Sequence, residues 1–242
     1  YVYNSSFLSN HAAVAGGGFY LINIKSVIIV SCKLLLNSAG KSGGAVYGTN
    51  VDILQIRNSN MRANNAGTMG GVSYLIHSHH IVIVNCDIFG NHLITMINTS
   101  VAGAFYFQNV STIVSKDSKF WGNSAGTGGA IFCHEVKLIQ IQSVFFRRNS
   151  ATHDGGAILT EEVEKFEASG LCKFMENSAD KGMGAITIRN GKIMKVQQVV
   201  FVSNSAIQGG AISAKDYVDI YIVDSIFLEN KVQKSGHGGA IY

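Results

Sequence analysis

The chain has 242 residues, with 19 Lys or Arg against 15 Asp or Glu, for a net charge of +4. Charged residues are only 14% of the total, and the basic ones are scattered apart from Arg147-Arg148, so no electrostatic footprint of a nucleic-acid or membrane-surface binder is present. With 47% apolar residues, 27 glycines and no proline, the composition fits a β-rich chain with tight turns and excludes a disordered one. No apolar run reaches the roughly 20 residues of a membrane-spanning helix, and the first residues lack a signal-peptide pattern.

Taken in order, the chain repeats one phrase. Asn10, Asn37, Asn64, Asn91, Asn123, Asn149, Asn177, Asn204 and Asn230 recur at intervals of 26–28 residues, with a single interval of 32 after Asn91. A glycine follows each at Gly16, Gly43, Gly70, Gly128, Gly155, Gly209 and Gly238, replaced by Ala102 and Met183 in two units. From that glycine to the next Asn the length is 21 or 22 residues, whereas from Asn to the glycine position it runs from 5 to 11. Insertions therefore fall in one short loop, as in stacked-coil architectures.

Each unit contains three strand-like pieces. The first is the segment Gly43 to Tyr47 and its equivalents. The second alternates, as in Val51 to Ile56, Val136 to Ile141 and Val218 to Val223, with Leu54 and Ile56 on one face and Gln55 on the other. The third ends in the bulky residue before Asn, as in Ser118-Lys119-Phe120. Three short strands per unit of about 27 residues predict an all-β, right-handed parallel β-helix of about eight to nine coils, roughly 40 Å long at the ordinary strand spacing. Residues 1–242 form one continuous segment in this reading. No polar cap is legible at Tyr1 or Tyr242, so other segments of the same protein or partner subunits are expected to stack on its ends.

In such a coil, equivalent residues stack. Phe7, Leu34, Met61, Ile88, Phe120, Phe146, Phe174, Phe201 and Phe227 form an interior column, each burial contributing about 1.5–3 kcal/mol. The nine asparagines form a second column, expected to adopt left-handed turn geometry and to bond amide to amide. The Gly-Gly pair turns the chain with positive φ and permits close packing; without a following Lys-Ser/Thr it is no phosphate loop. Cys32, Cys86 and Cys172 share a column, but Cys32 and Cys86 are two coils apart, beyond the roughly 7 Å Cα limit for a disulfide. With Cys133 on another strand, all four read as free, buried, small apolar residues.

Chemistry has few places to reside. The column Asn23, Asn50, His77, Asn109, Glu135, Glu162, Asn190 and Asp216 follows the first strand, and Glu135 and Glu162 on adjacent coils are about 5 Å apart in this reading. That spacing suits paired carboxylates or a shared cation, with His134, Glu161 and Glu164 nearby; the competing reading is a solvated acidic edge balanced by Lys137 and Lys165. His77 and His79 share a face with Asp52 one coil earlier, a partial zinc set that competes with a plain surface patch. Asn4, Asn98 and Asn109 head N-glycosylation acceptor tripeptides, with Asn98 in the longest loop. The pattern calls for no cofactor or metal.

The pairing of Phe120…Asn123 with Gly128-Gly129-Ala130-Ile131, repeated at Phe146…Asn149 with Gly155 to Ile158 and at Phe201…Asn204 with Gly209 to Ile212, resembles the repeats of the chlamydial polymorphic outer-membrane proteins, β-helical autotransporter adhesins. The unit is also similar to that of large β-helix proteins of protists, ciliates in particular. This resemblance implies a secreted or surface β-helix with an adhesive or structural role, and it transfers no catalytic residues; glycans are a further expected class of partner. The other expectation is a carbohydrate-active enzyme or carbohydrate-binding module using the Glu135/Glu162 edge.

Overall fold

The computed structural model describes all residues except 96–98 and 217–218, and the backbone alone at 234–235. Asn98 and Val218 therefore lie outside the described residues. The remainder is a parallel β-solenoid of about 8 turns with about 27 residues per turn. No helix occurs among the described residues. Three sheets, of 11, 9 and 9 strands, run along the solenoid.

The sheets are not built from the three pieces expected. The first two pieces of each coil join into one 12-residue strand, such as Val46–Arg57 or Ile131–Gln142. The joint is a single left-handed residue, Asn50 (φ 53°) or Glu135 (φ 53°), that bends the strand while pairing resumes beyond it. Only in the last two coils does the strand break at this point, as Ile186–Arg189 and Ile193–Gln197 and then Ile212–Lys215 and Asp219–Val223. The second sheet stacks three-residue strands around the bulky column, Lys119–Trp121 among them. The third stacks two-residue strands immediately after Asn, such as Ser124–Ala125, too short to announce themselves by periodicity.

Each coil turns at four left-handed corners; in one they are Asp117, Gly122, Gly128 and Glu135. This corrects the expectation that the ladder asparagines adopt that geometry. The left-handed residue is the one before each Asn, for instance Leu36 or Arg148, and it swings the chain so that the Asn side chain points inward.

Inside, Asn37 donates from Nδ2 to Asn64 Oδ1 at 3.0 Å and to the Phe7 carbonyl at 2.9 Å. Its backbone N–H also reaches Asn64 Oδ1, at 3.0 Å. The same pattern passes from Asn64 through Asn91 to Asn123, and the seven asparagines from Asn37 to Asn204 are completely buried. Each buried amide thus has both oxygen lone pairs and both N–H groups occupied, which removes the cost of about 1–3 kcal/mol for each group left unpaired. Beside this ladder, Phe120, Phe146, Phe174, Phe201 and Phe227 stack with ring centroids 4.7–5.1 Å apart.

All four cysteines are free and buried. Three of them do more than fill space. The column Cys32, Ser59, Cys86, Ser118, Val144, Cys172 carries a second polar ladder, interrupted at Val144, in which a backbone N–H meets the side chain one coil on. Cys32 N–H donates to Ser59 Oγ (3.0 Å), Cys86 N–H to Ser118 Oγ (3.1 Å) and Val144 N–H to Cys172 Sγ (3.4 Å). The thiol is thus a weak stand-in for a serine hydroxyl at a corner that would otherwise bury an unpaired N–H.

Candidate functional site

The bend residue of the long strands forms an outward corner column, exposed at Asn50, His77, Asn109, Glu135 and Glu162. Asn and Asp tolerate left-handed geometry because their short polar side chains bond locally; Glu has no such advantage. Along the column the side chains pair coil to coil: Asn50 Nδ2 donates to Asn23 Oδ1 at 2.8 Å, and Asn109 Nδ2 meets His77 Nδ1 at 2.9 Å. At Glu135 and Glu162 the pairing gives way to two stacked carboxylates.

The structure brings His134, Glu135 and Glu162 together, with one ligand atom from each inside a 4.8 Å span. The surrounding charges are matched in a way the sequence did not disclose. Glu161 pairs with Arg189, which also holds Asp154, and Glu164 faces Lys192 at 3.5 Å. Lys165 turns back along its own strand to Glu167 at 2.7 Å, and Lys137 enters no ion pair among the described residues. The edge is therefore not balanced by Lys137 and Lys165, as the solvated-edge reading had it. The hydrogen bonds from Lys165 and Gln140 hold the Glu167 carboxyl below the usual range. Glu135 and Glu162 take part in none of these ion pairs, so the two form a small concentration of negative charge beside His134.

The histidine patch is arranged differently. His79 Nδ1 is bonded to Ser111 Oγ at 3.0 Å, and His77 Nδ1 is taken by Asn109. Asp52 is level with His79 in the strand register but does not join these histidines in a three-residue ligand group among the described residues. Of the acceptor asparagines, Asn4 sits at an exposed left-handed corner (φ 47°) between two strands, and Asn109 at the exposed bend.

The sequence reading missed a larger feature. On the outer face of the long strands Tyr20, Tyr47, Tyr74, Tyr106 and Phe132 stack, with ring centroids 4.9, 5.4, 4.7 and 5.2 Å apart and planes within 18°. Tyr20, Tyr47 and Tyr74 floor an open depression of about 550 Å³ walled by Val14, Ala15, Ser42 and Met69, whereas Tyr106 is buried. In line with it, a second depression of about 370 Å³ has Phe132 and Leu159 for a floor and Asp154, Glu161 and Arg189 at its end. Tyr20, Tyr47 and Tyr74 stand four positions after Gly16, Gly43 and Gly70, and Tyr106 four after Ala102, a spacing that is passed over when Tyr47 is taken simply as a strand end. Burial pushes the Tyr106 phenol up, and its hydroxyl pairs with Gln108 at 2.9 Å.

The solenoid is built from one repeated unit, and that unit has a known counterpart. Residues 143–161 match the Chlamydia polymorphic membrane protein repeat. The matched stretch holds Phe146, Asn149 and Gly155-Gly156-Ala157-Ile158, that is, one bulky-column residue, one rung of the amide ladder and one glycine corner. No curated protein and no solved structure matches the chain.

Proposed function

We propose that this chain is a non-enzymatic structural and adhesive segment of a surface-exposed β-solenoid protein. The observation that carries the reading is the match of residues 143–161 to the Chlamydia polymorphic membrane protein repeat, in a chain that repeats the same unit from Phe7 to Phe227. The physical economy of the fold supports it. The recurring side chains are spent on one another, in the amide ladder, the phenylalanine stack and the serine/cysteine ladder, so what varies from coil to coil lies on the outside. A rigid rod with a variable exterior suits display and attachment better than it suits catalysis, which needs reacting groups shielded from water. Antibodies to the folded chain, applied to intact and then to permeabilised source cells, test the display: labelling that requires permeabilisation overturns it.

The carboxylate pair favours a second reading, cleavage of a glycan at Glu135 and Glu162, because two acids this close are the minimum equipment for that chemistry. Both are exposed on an outward corner. Incubating the protein and its Glu135→Gln/Glu162→Gln variant with neutral and acidic polysaccharides decides it: cleavage by the parent that the variant loses replaces the non-enzymatic reading.

A further inference from the structure

The tyrosine trough lies outside the main interior core, and its chemistry is specific enough to name an occupant. The three floor tyrosines are in register, Tyr20 with Tyr47 and Tyr47 with Tyr74, so the floor repeats once per coil over three coils. A ligand that uses every repeat must itself repeat at close to the strand spacing of about 4.8 Å. An extended peptide advances about 3.3 Å per residue and shows the same face only every second residue, so it falls out of step within two coils. A linear chain of β-1,4-linked hexopyranose rings advances by one ring over nearly that distance, and although successive rings are turned over, each carries oxygens on both edges, so every ring can bond the floor.

The surface chemistry points the same way. Because the rings lie face to face, they turn their edges and hydroxyls toward the trough. Aromatic edges carry the positive part of the ring quadrupole and favour oxygen lone pairs. Among the described residues the hydroxyl of Tyr106 has a partner in Gln108, whereas those of Tyr20, Tyr47 and Tyr74 take part in no hydrogen bond within the chain. An acyl chain laid there would strip water from these hydroxyls without replacing it. Charge selects further: Lys41 is the one charged side chain lining the tyrosine depression, and Glu161 in the neighbouring depression is paired with Arg189. A uronate or sulfated chain, charged at every ring, would find a single cation there and no matching series of charges.

We propose that the trough over Tyr20, Tyr47 and Tyr74 binds a linear neutral glycan lying along the solenoid axis, one sugar ring per coil. This gives a ligand class to the adhesive role inferred above and rests on that reading. Its assay uses purified protein, so it fails or succeeds separately from surface display.

The test is calorimetric titration with β-1,4-linked oligomers of glucose and of N-acetylglucosamine, from disaccharide to hexasaccharide. Oligogalacturonates of equal length and an extended apolar peptide serve as comparators. At least one neutral series is expected to gain affinity with each added ring up to the trisaccharide and then level off. The double variant Tyr47→Phe/Tyr74→Phe, which keeps the ring stack and is checked for an unchanged β-rich circular dichroism spectrum, is expected to bind the trisaccharide at least about tenfold more weakly, since it removes two hydrogen-bonding groups. The proposal is overturned by no binding in either neutral series, by affinity independent of chain length, by a Phe variant that binds as tightly as the parent, or by tighter binding of the uronate or peptide comparator.

Discussion

Asn149 Oδ1 accepts two hydrogen bonds from Asn123, one from its backbone N–H at 3.1 Å and one from its Nδ2 at 2.9 Å. Asn149 Nδ2 in turn donates to the Phe120 carbonyl at 2.9 Å and to Asn177 Oδ1 at 3.0 Å. One amide therefore links three successive coils through donor and acceptor ends that cannot be exchanged.

That asymmetry makes Asn149→Asp a sharper probe than Asn149→Ala. The carboxylate keeps the shape and the acceptor but loses both N–H groups. It leaves the Phe120 carbonyl unpaired, sets oxygen against Asn177 Oδ1, and buries a charge. A loss of about 3–5 kcal/mol is expected at neutral pH. Burial raises the carboxyl pKa in the fold above its unfolded value. The variant is therefore most stable below the unfolded pKa and loses stability as pH rises through the folded one. Guanidinium unfolding of parent and variant at pH 4 and pH 7 checks this. A variant as stable as the parent at both would show that the ladder does not hold the coils.

The two glycines of the repeated pair have different tasks. Gly128 takes a left-handed φ of 64°, and an added Cβ would lie 2.7 Å from the Ile131 carbonyl oxygen. Gly129 has no unusual φ; its Cβ would instead collide with the backbone oxygen of Gly156 on the next coil. Ala102 occupies the Gly128 position of its own coil at φ 67°, so the left-handed task can be met by alanine. Gly128→Ala is expected to cost about 1–2 kcal/mol, the ordinary left-handed penalty. Gly129→Ala has to push two coils apart and is expected to cost more than twice that, or to prevent folding. Yields of soluble protein and unfolding midpoints for the two variants, made side by side, give the ranking, and the reverse order would refute this division.

The same pair shows what the sequence disclosed and what it withheld. The period, the sheet-forming pieces and the interior column were legible because each rests on residue types that only a stacked coil repeats in that order. Substitution at the first glycine, by Ala102 and Met183, drew attention to the wrong member. The second position is glycine in all nine units, from Gly17 to Gly239, and that constancy marked the close approach between coils. The strand after Asn went unseen because two residues carry no periodicity. Left-handed corners at Leu36 and Arg148 were hidden by residue types that do not favour them. The His134, Glu135 and Glu162 grouping needed only the register, whereas the pairing of Glu161 with Arg189 needed side-chain geometry.

Thr160 offers a gain in stability. It is completely buried in the column between Cys133 and Ile188, and its Oγ1 has no hydrogen-bond partner. Valine has nearly the same shape without the hydroxyl. Thr160→Val is expected to stabilise the solenoid by about 1 kcal/mol, because it removes a polar atom buried without compensation. A shift of the urea midpoint to higher concentration at unchanged slope is the expected reading; a destabilised variant would mean that the hydroxyl has a partner, such as an ordered water.

The cysteines supply a pH signature at the alkaline end. Burial pushes the Cys86 thiol up to about 11, and burial also raises Cys133 and Cys172. Their thiolates are thus disfavoured in the fold, and the thiolate is the form that alkylates. Native protein at pH 8 is expected to react with iodoacetamide at least about a hundredfold more slowly than protein in denaturant, where reaction no longer waits on an opening event. The linkage has one sign. Below the unfolded thiol pKa of about 8.5 both states hold their protons and the stability is fully present. Above it the unfolded chain ionises while the folded one resists, so stability falls as pH rises toward the folded value of about 11 for Cys86. Replacing Cys86 by Ser, the residue found at the neighbouring rungs Ser59 and Ser118, keeps the acceptor for the corner N–H and removes the titration. Cys86→Ser is therefore expected to lose less stability than the parent between pH 8.5 and 11, and an equal loss in the two would place the alkaline sensitivity elsewhere.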